Sequence, residues 1–465
     1  MNEYAALILA AGKGTRMKSD LCKVLHLVAG RPMISYVVEA VLSAGLGKIS
    51  IVVGHQSNEV MKSLHSQGIE FAFQEPQLGT GHAVAVAGSL FKYFSGNILV
   101  LCGDIPLVQP RTIEEFIAFH EQQRSLLTVL TTCMENPSGY GRIVRDESQH
   151  VLRIVEERDA NENEKAIEEI NTGVYLVEAR LLYSLLERIR PDNVQGEYYL
   201  TDIVKEAVKE TVPVQAFVLK NSREAMGINT RADLARASTI VWDRIREDLM
   251  NSGVTLLDPT TVYVDAQVRV GRDTVIHPCT TLSGATEIGK ECVIESGVNI
   301  FDSKLGDCVT ILQGSRLDRV LVRDGATIGP MAHLRPDSDI GKNVKIGNFV
   351  EVKKTFVGEG TKAAHLTYLG DSIIGKRVNI GCGTITCNYD GKRKHTTVIH
   401  DNCFIGSDVQ FVAPVEVGAG SLIGAGSTIT RDVPPASLAV SRTKQKVYPL
   451  RTGQGPESTD EDRKS

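Results

Sequence analysis

At 465 residues the chain is longer than one hydrophobic core usually serves, so two or three domains are expected. A net charge of −5, with acids and bases interspersed, argues against a general nucleic-acid or membrane-surface role. No apolar run reaches a membrane span, Met1-Asn2-Glu3-Tyr4 lacks a basic leader, and nine cysteines are scattered without a CxxC pair; these predict a reducing cytoplasm, no zinc site and no disulfide framework.

Residues 1–229 alternate strands with helices. Tyr4–Leu9 is an apolar strand, and Pro32–Ala44 a helix with proline at its start and Gly45 at its stop. Lys48–Val53 and Ile98–Leu101 are further buried strands, the second running into Cys102-Gly103-Asp104. Such alternation implies a mostly parallel sheet covered by helices, with ligands at the carboxyl ends of its strands. Leu9-Ala10-Ala11-Gly12-Lys13-Gly14-Thr15-Arg16-Met17 follows the first strand directly. Its small residues let the backbone approach an anion, and Lys13, Arg16 and Lys23 add positive charge, although a tight strand-to-helix turn would read similarly. Met17 at the third glycine position rules out a dinucleotide fingerprint, and no GK[ST] follows to make a Walker loop. Gln77–Ala83 is a second glycine-rich turn, suited to a base or sugar or to a turn alone. Asp104, just past a strand, suits either a Mg²⁺ ligand or a helix cap.

Thr230–Met250 reads as one helix with Leu234, Ala237, Val241, Ile245 and Leu249 as its stripe and Thr230 with Asp233 as its cap; it resembles a connecting rod between domains. From about Val254 to Arg431 the period changes. Aliphatic or aromatic residues recur every sixth position at Ile328, Leu334, Ile340, Ile346 and Val352, and again at Ile405, Phe411, Val417, Ile423 and Ile429. Neither a helix nor an ordinary strand has this period; a hexapeptide solenoid does, with three hexads to a coil of about 18 residues. Cys292, Cys308 and Cys403 fit as small inward fillers. The rhythm breaks at Thr361–Asp371 and Cys387–His395, which are expected as loops, and function concentrates in loops on a rigid scaffold. A polar tail, Gly453–Ser465, is expected to be disordered.

Taken together, LAAGKGTRM, QLGTGHA, GYGRI, INTG, QGEYYLTD, HLTYLGD and GTITCNYDGKRKH stand in order between about Tyr4 and Arg442. The set resembles the bacterial bifunctional N-acetylglucosamine-1-phosphate uridylyltransferase/glucosamine-1-phosphate acetyltransferases. The resemblance implies a Rossmann-like α/β nucleotidyltransferase domain (1–229), a linker helix (230–250), and a left-handed parallel β-helix of hexapeptide repeats (251–452) ahead of the tail (453–465). It implies that Leu9, Ala10, Ala11, Gly12, Gln74, Gly79 and Thr80 hold the nucleotide, with Cys102, Gly103 and Asp104 beside it and Lys23 and Arg16 at the phosphates. Gly141, Glu156 and Asn171 would hold N-acetylglucosamine, and Asp104 with Asn229 would bind Mg²⁺. Asn229 could alternatively be only the cap of the helix that follows.

In the second half the same resemblance makes His365 the base for attack of the glucosamine-1-phosphate amine on acetyl-CoA, with Glu351 orienting it. An unperturbed imidazole, titrating near pH ~6.5, can take that proton at neutral pH. Arg335, Lys353, Tyr368, Asn379 and Lys394 would bind the sugar phosphate, and Cys382, Asn388, Tyr389, Ser407, Ala425 and Arg442 would line the coenzyme A site. The implied enzyme acetylates glucosamine-1-phosphate and then transfers UMP from UTP, releasing pyrophosphate. It is a cytoplasmic homotrimer whose product feeds peptidoglycan and, where made, lipopolysaccharide. Its partners are these small molecules rather than nucleic acid or membrane.

Cys22, Cys102 and Cys382 stand where the family usually has proline, tyrosine and alanine, which predicts thiol sensitivity of one or both activities. The alternative is a monofunctional nucleotidylyltransferase whose solenoid serves assembly or regulation. His365 and the second rhythm break weigh against that, and the intact Lys13, Arg16, Lys23, Asp104 and Asn229 weigh against a non-catalytic scaffold.

Overall fold

The computed structural model describes residues 3–64 and 68–449, so the expected tail lies outside the described residues. These fall into two compact units. One comprises the chain up to Asn251 with Tyr263–Val268; the other comprises Ser252–Val262 and the described residues from Arg269 onward.

The first unit is built on a nine-stranded sheet. Its main path runs Val214–Val218, Leu127–Cys133, Glu169–Glu178, Asn97–Cys102, Tyr4–Leu9, Lys48–Val53, Ile69–Phe73. All neighbours on this path are parallel except Glu169–Glu178, which opposes both of its partners. Because side chains alternate across a strand, Tyr4–Leu9 feeds two cores: Ala6 and Ile8 pack on one face, Ala5 and Leu7 on the other. The helix Met33–Ser43 sends Met33, Ile34, Val37, Val38 and Val41 into the first core, while Thr80–Val86 and Ala179–Leu186 cover the second. The helix expected at Thr230–Met250 runs Arg231–Asn251. Ala237 and Val241 are buried in the first core, with Leu234 and Ile245 packed against it.

The second unit is a left-handed parallel β-helix. Short strands stack parallel into a nineteen-stranded sheet and a nine-stranded one, in the sequence's own order. The sixfold anchors are its interior: Ile328, Leu334, Ile340, Ile346 and Val352 are all fully buried, as are Ile405, Phe411, Val417 and Ile423. Most coils advance by 17 or 18 residues. Across the Cys387–His395 break the step becomes 25. Ile380 nonetheless stacks on Ile405, so the extra residues are extruded at a corner while the core register continues.

Two expectations are corrected here. Thr361–Asp371 is not a loop: Lys362–Gly370 is a nine-residue strand lying on Lys345–Lys353, with Asn348 opposite His365 and Glu351 opposite Tyr368. The rhythm breaks because Ala363 takes an anchor place and because Phe349 and Leu366, at φ 55° and 32°, turn the two neighbouring strands together. Cys292 and Cys403 are buried fillers, but Cys308 is exposed at a left-handed corner (φ 56°), one residue before the buried Val309.

Candidate active sites

In the first unit the carboxyl ends of neighbouring parallel strands converge. Gly103 N–H donates to the Leu9 carbonyl (2.9 Å), Ala10 N–H to Val52 (2.8 Å) and Gln74 N–H to Val53 (2.9 Å). They bound a cavity of about 610 Å³ lined by Leu9, Ala10, Ala11, Gly12, Lys23, Gln74, Gly79, Thr80, Cys102 and Asp104. A Cβ on Gly12 would meet no protein atom within 4 Å, so this residue leaves room at the wall. Gly79 is required by its backbone. At φ 110°, ψ 175° it occupies a region essentially closed to other residues, and an added Cβ would lie 2.6 Å from the Tyr198 carbonyl oxygen. Gln74 Nε2 donates to that same turn, at the Gly79 carbonyl (2.9 Å).

Arg16, Gly103, Gly141, Glu156, Asn171 and Asn229 do not line the cavity itself. Gly103 is held beside it by its bond to Leu9. Asn229 reaches the site because Ile228 N–H donates to the Asp104 carbonyl (2.9 Å), pinning the segment before the helix next to the strand end. Lys23 Nζ then bridges the Asp104 carboxylate and Asn229 Oδ1, the latter at 2.7 Å, and Arg16 donates to the same Asn229 oxygen at 2.8 Å. Capping of the helix falls to Thr230 and Asp233, which exchange hydrogen bonds of 2.9 and 3.2 Å, so the Asn229 side chain is free of that duty. Among the described residues no group of three or more His, Cys, Asp or Glu is placed to hold a metal ion. A cation at Asp104 and Asn229 would therefore draw its remaining ligands from phosphate and water, the usual arrangement for magnesium.

Gly141, Glu156 and Asn171 cluster beside Cys102. Asn171 N–H donates to the Gly141 carbonyl (2.8 Å), and a register shift in strand Glu169–Glu178 between Asn171 and Val174 sets the asparagine apart from the regular ladder. A Cβ on Gly141 would come within 3.6 Å of Glu156 Oε2. Burial raises the Glu156 pKa above the usual carboxylate range; a 3.3 Å bond from Thr201 opposes this, and Asp159, Asp202 and Glu197 reinforce it. Burial, with the nearby Asp104 charge, pushes the Cys102 thiol up to about 12. Cys22 is likewise buried and its pKa raised by desolvation. Reaction requires an accessible thiolate; of the three positions expected to be thiol-sensitive, Cys22 is buried, Cys102 is partly accessible in the cavity wall and Cys382 is exposed.

Cavity residues not anticipated as ligand contacts include Pro76 and Glu197, whereas Gln77 belongs to the turn expected to suit a base or sugar. Gln77 Nε2 donates to the Ala11 carbonyl and so braces the glycine-rich loop. Nothing local marks such a role for a lone glutamine, although it lies within a quoted motif.

On the solenoid, His365 is exposed, and its ring makes no hydrogen bond among the described residues. Glu351, expected to orient it, is paired with Arg335 at 2.8 Å instead. Tyr368 lies beside Glu351 in the ladder and Asn379 lies beside Lys362, all on consecutive coils. Lys353 and Lys394 approach one another closely, and this contact lowers the Lys394 pKa. The extruded segment is organised by Asp390, which accepts from Lys392 N (2.7 Å), Arg393 N (2.6 Å) and His395 Nε2 (2.7 Å), while Tyr389 forms a bridge with Lys394. These bonds hold the Asp390 carboxyl well below its ordinary range. Cys382, Ser407, Ala425 and Arg442 form a column up one corner. Asp408 N–H donates to Cys382 O (2.7 Å), Gly426 N–H to Ser407 O (2.8 Å) and Arg442 to Ala425 O (2.7 Å).

The Nucleotidyl transferase family matches residues 5–243, the GMPPB C-terminal domain residues 316–411, and the Bacterial transferase hexapeptide (six repeats) residues 396–431. The Bifunctional protein GlmU of Geotalea daltonii is 54% identical over 446 residues, spanning 96% of this chain and 98% of its own. That of Pelobacter propionicus is 54% identical over 446 residues, covering 96% and 97%, and that of Listeria monocytogenes 47% identical over 445 residues, covering 96% and 97%. With a nucleotide-sized cavity on a parallel sheet, a hexapeptide β-helix and identity of this extent along both, the chain belongs to the GlmU family of bifunctional uridylyltransferase–acetyltransferases.

Proposed function

We infer that this chain acetylates glucosamine-1-phosphate on its β-helix and transfers UMP from UTP to N-acetylglucosamine-1-phosphate in its first unit. The observation that carries the reading is the convergence of Lys23, Arg16, Asp104 and Asn229 at the mouth of the strand-end cavity, on a chain that also presents His365 among Arg335, Glu351, Lys353 and Tyr368. Uridylyl transfer is attack of a sugar-phosphate oxygen on the α-phosphorus of UTP, with the bond to the β-phosphate breaking and pyrophosphate leaving. No covalent nucleophile is needed; catalysis is positioning and charge neutralisation. Lys23 and Arg16 would face the phosphates, the Gln74–Thr80 turn the base, and Glu156 with Asn171 the sugar hydroxyls and acetamido group. Asp104 and Asn229 fit Mg²⁺, since their oxygens already converge on one cationic nitrogen. When bound there, the ion would supply further neutralisation of phosphate charge.

For acetyl transfer, the sugar amine attacks the thioester carbonyl carbon, the C–N bond forms, the C–S bond breaks and a ring nitrogen of His365 takes the amine proton. Arg335, Lys353 and Lys394 would hold the phosphate, and the Cys382–Arg442 column the coenzyme. Exposure of His365 on an open face supports a homotrimer, in which neighbouring prisms would complete each site. Nine free cysteines support a reducing, cytoplasmic setting. Among the described residues no helix is long and apolar enough to cross a membrane. The test supplies glucosamine-1-phosphate, acetyl-CoA, UTP and Mg²⁺ and then omits each in turn. Loss of UDP-N-acetylglucosamine on every omission is expected; formation without acetyl-CoA would refute the bifunctional reading.

A further inference from the structure

Asp371 has no part in the expected site, yet it is a buried carboxylate (7% exposed) at its centre. Its Oδ2 accepts from Asn388 Nδ2 at 2.5 Å, while Oδ1 lies 3.8 Å from the Lys354 ammonium. The same Asn388 nitrogen makes a long 3.5 Å contact with the Tyr368 hydroxyl. An ionised carboxylate can only accept, so it dictates which end of the amide faces it. With its nitrogen turned inward, Asn388 must present Oδ1 the other way. No described residue donates to that oxygen, and it is not among the buried side-chain atoms left without a partner, so it stands open to a ligand. The Asn388 backbone is fixed as well, its carbonyl accepting from His395 N–H at 2.8 Å.

We propose that Asp371 is a positioning residue for acetyl transfer, holding Asn388 so that its side-chain oxygen faces the reactants as an acceptor for a substrate N–H. This rests on the acetyltransferase reading and deepens it. Two substrate groups share that chemistry: the attacking amine of the sugar and the amide N–H groups of the pantetheine arm. A flipped amide would offer either of them a donor instead of an acceptor.

Asp371 has φ 48°, a conformation asparagine also tolerates, so Asp371→Asn removes the charge without straining the backbone. In the full-length protein this variant should lose about 10- to 100-fold in acetyl-transfer kcat/KM, the usual range for a charged hydrogen bond, with uridylyl transfer unchanged. A fall in kcat at constant acetyl-CoA KM assigns the donor to the amine; a rise in that KM assigns it to pantetheine. A double-mutant cycle separates positioning from mere support: in an Asn388→Ala background, Asp371→Asn should cost less than threefold. The same loss in both backgrounds would overturn the inference. The exchange Asp371→Asn with Asn388→Asp rebuilds a donor–acceptor pair and keeps an oxygen outward. It should be at least tenfold more active than Asn388→Asp alone, and equal activity would also overturn the proposal. Absence of acetyl transfer in the unaltered chain would refute the functional reading, and this inference with it.

Discussion

Gly79→Ala is the sharpest test of the nucleotide cavity, because its cost can be worked from geometry. The native backbone at φ 110°, ψ 175° costs a non-glycine residue about 1–3 kcal/mol. The new methyl would also sit 2.6 Å from the Tyr198 carbonyl oxygen and 2.9 Å from its nitrogen. Neither backbone atom can yield freely, since Gly81 N–H donates to that oxygen (2.7 Å) and Tyr198 N–H to the Leu78 carbonyl (2.8 Å). Relief would sacrifice one of these bonds, worth about 1 kcal/mol net. A total of about 2–4 kcal/mol converts, at about 1.4 kcal/mol per tenfold, to a rise in UTP KM of roughly 30- to 700-fold if it is expressed in binding. The assay is steady-state pyrophosphate release at varied UTP, with acetyl transfer by the same preparation as an internal control for folding. A UTP KM within threefold of wild type would show that the turn neither shapes the cavity nor resists the methyl.

His365→Ala should reduce acetyl transfer by about 10²- to 10⁴-fold and leave uridylyl transfer and Tm unaltered, because the ring is exposed and bonded to no described residue; more than a tenth of the acetyl-transfer rate surviving would remove it as the base. Glu156 has a raised pKa, so the folded protein holds its proton more tightly than the unfolded chain does. Its burden on stability is absent below the unfolded value of about 4.3 and grows as pH rises through the folded value. Glu156→Gln should therefore match wild type in Tm near pH 4, exceed it near pH 8, and raise the KM for N-acetylglucosamine-1-phosphate; a Tm difference independent of pH would disprove the burial argument. Iodoacetamide at pH 8, followed by peptide mass spectrometry, should label Cys382 well before Cys22 or Cys102, since the last two are held as buried or poorly ionised thiols. Early labelling of Cys102 would contradict its environment.

The solenoid was legible because every anchor falls on an inward position of one repeated unit, so its period survives in the sequence. Leu9–Gly12 and Asp104 each also suit an ordinary turn or cap, so the cavity was legible only from the ordered set of motifs and the family it resembles. Reading a break in period as a loop failed at Thr361–Asp371. There Ala363 takes the anchor place of a large residue, and the strand is supported by pairing with Lys345–Lys353 that no local pattern records. Asp371 and Glu197 were missed as contacts, and Gln77 as a brace of the glycine-rich loop, for a related reason. Asp371 meets Asn388 only because a long coil returns to it, and Gln77 meets Ala11 only because two strand ends adjoin.

The coil that advances by 25 residues has a consequence for how such proteins can diversify. Ile380 still settles over Ile405 although the path between them is longer than its neighbours', so a prism corner can carry added sequence without the hydrophobic column below being rewritten. Because closing a longer excursion costs little extra entropy, new recognition segments could be spliced into such vertices and tried one at a time. The scaffold would act as a fixed spindle for interchangeable heads.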